Sequence, residues 1–280
     1  MGCDARCFKG NRDMTKTRDL GALNGDLLLF GGVYSNAQAL DALIAAAASH
    51  GIAPSNCIFT GDVVAYGADA LACAQRLAAF NCPAILGNCE QQLLDGASDC
   101  GCGFDEGTAC DIASKTWFDH ASRQIGAHAR DLWGDAADWV TLTHAGKRYA
   151  VIHGGAQDVA RFIWPSDEDA VFAQEFAALE AAIGPLDGVI SGHSGIAFER
   201  EIAGKTWINA GVIGMPPHDA RPETRYAVLS DDGLRFYPLA YDHNAAAQAM
   251  QDAGLTQGYE VALRTGIWPS EDVLPQTLRR

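Results

Sequence analysis

Four polar residues stand where apolar runs stop. Asp62 follows "CIFTG", Asn88 follows "PAILG", His153 follows "YAVI" and His193 follows "GVISG". One carboxylate, one amide and two imidazoles make a donor set for a divalent metal. Imidazole nitrogen suits Zn, Fe, Mn or Co, whereas oxygen donors alone suit harder ions. Taken singly, each residue has a plainer reading. A histidine at a strand end is more often a hydrogen-bonded structural residue, and Gly-Asp or Gly-Asn is ordinary turn chemistry. Four of them together, each closing a strand, point to one metal site.

For these side chains to meet, the runs before them must be strands whose carboxyl ends converge, where ligands of open α/β sheets collect. The first part of the chain reads βαβαβ. "DLLLFGG" (26–32), "CIFTGD" (57–62) and "PAILGN" (83–88) are short apolar strands, and 36–51 and 68–80 are helices. A Gly-, Asp- and Cys-rich loop (93–111) follows, and 112–140 has helical spacing with Trp117, Phe118, Leu132 and Trp139 as anchors. Then come a strand at 148–155, a helix at 169–184 and a strand at 186–193. Two hairpins (197–211 and 224–239), a helix near 243–253 and an irregular tail complete the reading. This predicts an α/β chain of two packed sheets flanked by helices. It has a polar, loosely ordered lead (1–24), a main domain (25–242) and a C-terminal helix and tail (243–280).

Composition sets outer bounds. The chain has 280 residues, 48% of them hydrophobic, and a net charge of -15. That length supports one large α/β core. The charge argues against nucleic acid, which needs basic surface. It also means that a phosphate ligand needs a local cation or oriented N–H groups. No apolar run is long enough for a membrane span and the first residues lack an apolar signal core, so a cytoplasmic protein is expected. Nine cysteines, an odd number, then read as thiols or ligands rather than a disulfide framework.

The motifs "GDVVAYG", "GNCE", "HGG" and "GHSG" in this order, with "WINAGVIGMP" (207–216) after them, resemble the calcineurin-like metallophosphoesterases, in their small bacterial phosphodiesterase-like branch. The resemblance covers roughly residues 26–242. It implies a four-layer α-β-β-α sandwich of two mixed sheets, two metals, and hydrolysis of a phosphomonoester or phosphodiester. By that resemblance Asp62 matches the metal-bridging carboxylate, and Asn88, His153 and His193 match the other ligands of one metal. The second half is altered. Gly32 and Tyr34 stand where the first motif has Asp and His, Gly195 stands for the last His, and Cys89 replaces the leaving-group acid. Tyr34 could ligate only as a phenolate, costly for a group with pKa of about 10.

Three readings stay open. In the first, a hydrolase works with one divalent ion (Zn, Fe or Mn) on a small phosphorylated molecule. A phosphate sits between that ion and the turn Gly31–Asn36, held by Gly32, Tyr34 and Asn36 with Arg161 as a clamp, and Asp62 and Cys89 are catalytic. The equal alternatives are a turn with no ligand role and, for Arg161, a salt-bridged side chain in a core-anchored loop. In the second reading, Cys89, Cys100 and Cys102 rebuild the missing half with thiolates, although Cys-x-Cys is an imperfect zinc spacing and three plain thiols are the simpler reading. The third is a non-catalytic metal- or phosphate-binding protein on the same scaffold. Trp164 is a candidate for stacking on a base, His218 has no matching role, and the remaining histidines are expected to be solvated. The tail with Trp268 packs either on the domain or on a second subunit of a homo-oligomer.

Overall fold

Leu27, Leu28, Leu29 and Phe30 have no exposed surface at all, as a strand covered on both faces must. They form the second of ten strands in the computed structural model, which describes residues 15–102, 104 and 106–280. Most of the polar lead, with Cys3 and Cys7, lies outside the described residues. In chain order the elements are β1 (Thr17–Ala22), β2 (Leu27–Phe30), α1 (Ala37–His50), β3 (Cys57–Phe59), α2 (Ala70–Phe80), α3 (Asn88–Asp95), α4 (Ala109–Ile125), α5 (Ala129–Trp133), β4 (Trp139–His144), β5 (Lys147–Val151), α6 (Asp169–Ile183), β6 (Gly188–Ser191), β7 (Phe198–Ile202), β8 (Lys205–Asn209), β9 (Thr224–Ser230), β10 (Gly233–Leu239), α7 (His243–Asp252) and α8 (Tyr259–Thr265). None of the described helices is long and apolar enough to cross a membrane.

Two mixed sheets result, in the orders β1-β4-β5-β6-β8-β7 and β10-β9-β2-β3. Successive strand side chains point to opposite faces, and this alternation builds the layers. Leu27 and Leu29 pack with Val140, Leu142, Val151, Ile190 and Ile208 of the other sheet. Leu28 and Phe30 pack outward with Leu40, Leu43 and Phe118 of the helices. In the six-stranded sheet, Ala150, Val189 and Trp207 turn outward onto Phe172, Phe176 and Leu179 of α6. The protein is therefore a four-layer α-β-β-α sandwich, as expected. Truncating a leucine to alanine in such a core costs about 2–5 kcal/mol.

Four local expectations need correction. The segment 83–88 is not a full strand, because only Ala84 and Ile85 make single bridges, to Phe59 and Ala137. Trp139 opens β4 rather than closing a helix, and its neighbours Val140 and Leu142 alternate inward along a strand. Part of the lead, Thr17–Ala22, is an exposed edge strand recruited by parallel pairing with β4. The tail contains helix α8 and lies on the domain, with Trp268 Nε1 donating to the Pro216 carbonyl at 2.6 Å.

Strands β2 and β3 run parallel in one sheet, and β5, β6 and β8 run parallel in the other. The segments after them are stitched into one surface by main-chain hydrogen bonds. Gly32 N donates to Gly61 O (3.1 Å), Gly214 N to Gly32 O (2.8 Å) and Gly192 N to His153 O (2.8 Å). That surface carries the residues singled out above.

Candidate metal centre

Asp62, His153 and His193 follow strands β3, β5 and β6, Asn88 opens α3, and the four converge on one point. Each is buried. Asp62 and His193 hold φ of 66° and 59°, in the left-handed region that ordinary residues avoid, so the tight turns after β3 and β6 are held there by their surroundings. Gly87, just before Asn88, has no room for a side chain, since a Cβ there would lie 2.1 Å from Asp62 Oδ1. The small residue lets the start of α3 approach the Asp62 turn.

The donor atoms are assigned by their outer partners. His153 Nδ1 lies 2.6 Å from the Thr60 carbonyl, an acceptor only, so Nδ1 carries a hydrogen and donates it. Asn88 Nδ2 donates to the Cys100 carbonyl at 2.8 Å, which turns Oδ1 inward. His153 Nε2 then stands 3.1 Å from Asn88 Oδ1, 3.1 Å from His193 Nδ1 and 3.1 Å from Asp62 Oδ2. Three acceptors thus surround one ring nitrogen. A single proton on Nε2 cannot satisfy them all, and a cation among them can. Tetrahedral bonds of about 2.1 Å place neighbouring ligand atoms about 3.4 Å apart, close to the spacing observed. The residues fit a metal ion, and Asp62, His153 and His193 form the one His/Cys/Asp/Glu cluster among the described residues with metal-site geometry.

Electrostatics agree. Burial works against the Asp62 carboxylate, but the adjoining imidazoles of His153 and His193 and the Cys89 N–H hold it below its ordinary range. Burial also opposes charge on His153, yet the Asp62 carboxylate keeps its pKa raised. Burial, and then the neighbouring His153, push His193 down to about 3, leaving a neutral ring with a free Nδ1 lone pair.

Two supporting residues escaped the sequence reading. The Glu90 carboxylate accepts from Asp62 N (2.8 Å), Gly87 N (2.9 Å) and Val64 N (3.1 Å), tying the Asp62 turn to the start of α3. Burial and then the Asp62 charge raise its pKa to about 7. Its signal is present in "GNCE", where Glu falls at the third position of a helix, the place of a capping acid. Asn209 Nδ2 donates to Gly192 O (2.7 Å) and Ser194 Oγ (2.9 Å) and so fixes the His193 turn.

This architecture has solved relatives. It superposes on a metallophosphoesterase from Sphaerobacter thermophilus with a TM-score of 0.64 and 18% identity, over 88% of this chain and 100% of that one. It superposes on a hypothetical protein from Pyrococcus horikoshii OT3 with a TM-score of 0.68 and 14% identity, over 87% of this chain and 99% of that one. The chain has the metallophosphoesterase fold. No protein-family profile matches the sequence, and no curated protein does.

Within the metallophosphoesterase fold, the position beside Gly32 and Tyr34 is filled rather than open, while Gly195 lines the neighbouring cavity. A Cβ at Gly32 would lie 2.6 Å from the Tyr34 ring and 2.6 Å from Val212 Cγ1. Tyr34 is buried, and burial followed by the Asp62 charge raises its pKa well above the ordinary phenol value, which disfavours a phenolate ligand. The turn offers no anion cradle either. The N–H groups of Gly32, Tyr34, Ser35 and Asn36 are spent on the carbonyls of Gly61, Asp62, Val63 and Val33. The Asn36 side chain caps α1 through Ala39 N and donates to Gly214 O. Arg161 is not a phosphate clamp here, because its guanidinium pairs with buried Glu175.

The sulfur residues also depart from expectation. Cys100 and Cys102 are joined in a disulfide, so in this state neither offers a thiolate to a metal. Burial, then the charges of Asp62 and Glu90, push the Cys89 thiol far up, which holds it protonated and opposes both its roles as ligand and as acid near neutrality. Cys89 is buried and does not line the cavity beside the site. Cys110 is a free thiol on the wall of that cavity. Trp164 is buried against Phe162, and it is Phe162 whose ring approaches His193, at 4.3 Å between centroids. His218 is buried and anchors the tail, accepting from Trp268 N at 2.8 Å on Nδ1 and meeting Glu271 at 2.7 Å on Nε2. His144 is buried as well, against the Gly25 carbonyl.

Proposed function

We propose that the protein is a metal-dependent phosphoric ester hydrolase of the calcineurin-like metallophosphoesterase family that works with one divalent ion. One observation carries this reading. Four lone-pair donors, Asp62 Oδ2, Asn88 Oδ1, His153 Nε2 and His193 Nδ1, converge beside a cavity, while the neighbouring half-site is packed with Tyr34 and Val212. Asp62, Asn88, His153 and His193 would hold the ion. When bound, such an ion supplies Lewis acidity toward a phosphoryl oxygen and acidifies water. The Thr60 carbonyl fixes the His153 tautomer, Glu90 holds the Asp62 turn, and Asn209 holds the His193 turn.

The packing of Tyr34 and Val212 around Gly32 favours one ion rather than two, and with it a substrate with one small phosphate group. A non-catalytic binding protein is the competing reading, favoured by the filled half-site. Purified protein loaded with Zn, Mn or Fe is the test. The hydrolase reading expects about one ion per chain and metal-dependent turnover of a phosphomonoester or phosphodiester, both lost in Asp62→Ala. One bound ion with no turnover of either ester under any of the three metals supports the binding protein instead.

A further inference from the structure

The cavity beside His193 is an aromatic box. Tyr34, Tyr66, Tyr259, Phe104, Phe162 and Trp268 supply its rings, and its described lining contains no Lys, Arg, Asp or Glu. Tyr34 meets Tyr66 edge to face at 4.8 Å, and Tyr66 stacks on Tyr259 at 4.3 Å. The enclosed space is about 50 Å³, and about 510 Å³ with its mouth. His193 lies on the wall, and its Nε2 is buried without a hydrogen-bond partner.

The walls come from distant parts of the chain. Tyr259, Trp268, Pro269, Ser270 and Val273 belong to the C-terminal strap, which His218, Glu271 and the Pro216 carbonyl hold against the domain. A Cβ at Gly195 would stand 3.6 Å from the Trp268 ring, in ordinary contact, so the strap lies directly beside this position. The strap thus borders the space in which the side chain of a histidine at position 195 would extend.

From this geometry we infer that the strap is the specificity wall of the site, and that the ester it accepts is a monoanionic phosphodiester bearing one small planar apolar ring. The inference rests on the hydrolase reading for the word substrate, and on the box alone for the ring. Aromatic walls favour a ring by stacking and edge-to-face contact. A wall without charged side chains among its described residues, in a chain of net charge -15, disfavours a second negative charge, since burying an unpaired charge is costly. An engineered apolar cavity that binds benzene has a volume of about 150 Å³. The space of about 50 Å³ is smaller, which favours the smallest planar ring, held in part at the mouth.

Calorimetry can separate the two readings. The probes are the monomethyl esters of phenylphosphonate and methylphosphonate, which carry equal charge and differ by the ring, and phenylphosphonate dianion. Titrations use zinc-loaded and metal-free protein. The phenyl ester should bind about tenfold tighter than the methyl ester, and tighter than the dianion. Trp268→Ala and, independently, Phe162→Leu should reduce the ring preference to about threefold or less. Both variants are checked for folding by circular dichroism, and Phe162→Leu leaves the strap anchors untouched. Equal binding of the two esters, tighter binding of the dianion, or a preference unchanged in a folded variant overturns the inference. A ring preference in protein that turns over no ester supports the box and refutes only the hydrolase.

Discussion

The Tyr34 ring occupies the space that a side chain at Gly32 would need, with 2.6 Å between a Cβ there and Tyr34 Cζ. Two positions in one turn therefore exclude each other. Gly32→Asp alone should not create a second metal site. It should lower stability by about 1–3 kcal/mol through overpacking. Adding Tyr34→His, Val212→Ala and Gly195→His relieves both contacts and supplies donors, so the quadruple variant should bind more ions per chain than the wild type. Metal analysis together with urea unfolding of both variants checks this pair of outcomes.

Loss of a converging donor should abolish tight metal binding. Outer-sphere changes alone typically cost 10–100-fold in affinity, so His153→Ala and Asp62→Ala should each cost about 100-fold or more. Competition against a chromophoric chelator measures it. Retention of near wild-type affinity in both would remove the assignment of the centre.

Glu90 should matter without being a ligand. Its carboxylate satisfies three main-chain N–H groups, one of them on Asp62. Glu90→Gln keeps one acceptor oxygen and should weaken metal affinity about 10–100-fold while the protein remains folded. Glu90→Ala leaves three buried donors unpaired and should destabilise the metal-free protein by about 3 kcal/mol or more. The two variants separate positioning from folding.

Acid should destabilise the metal-free protein through His193. Its pKa in the folded chain is about 3, against about 6.5 for an ordinary histidine. Its contribution is therefore present above pH 6.5 and is lost progressively as pH falls toward 3, because the unfolded chain takes up a proton that the folded one refuses. The slope is about 1.4 kcal/mol per pH unit for one proton. His193→Gln should flatten the urea-midpoint profile between pH 4 and 6.5 by about that amount. His153 acts oppositely and at higher pH. Burial opposes its charge, but Asp62 raises its pKa, so its ion pair stabilises below pH 6.5 and is lost as pH rises through the folded value.

The disulfide gives a further outcome. With Cys100 bonded to Cys102, Cys102→Ser should leave the number of bound ions unchanged. A fall in bound zinc or iron would return the sulfur ligands to the site.

The half of the site with four converging donors was readable because its residues each close a buried apolar run. Short buried strands and the polar residue after them are local signals. The other half was not readable in the same way. Gly32 and Tyr34 announced a missing donor, but not that a tyrosine ring fills its space, since that depends on Val212 arriving from another sheet. The aromatic box combines residues 34, 66, 104, 162, 259 and 268, and no local pattern links them. In the fold, β1 was hidden because an exposed edge strand needs no apolar run, and β4 because Val140 and Leu142 follow directly on a helical stretch. Glu90 was quoted within a motif, yet its role depends on N–H groups from another turn.

The C-terminal strap separates the two parts of the site in time. All four cation donors have been synthesised once residue 193 is made, whereas Trp268 and Val273 come much later. A domain generally folds as a unit, so the donors converge only after β8, Asn209 and β9 have also been made, and Trp268 and Val273 are the last part of the site to leave synthesis.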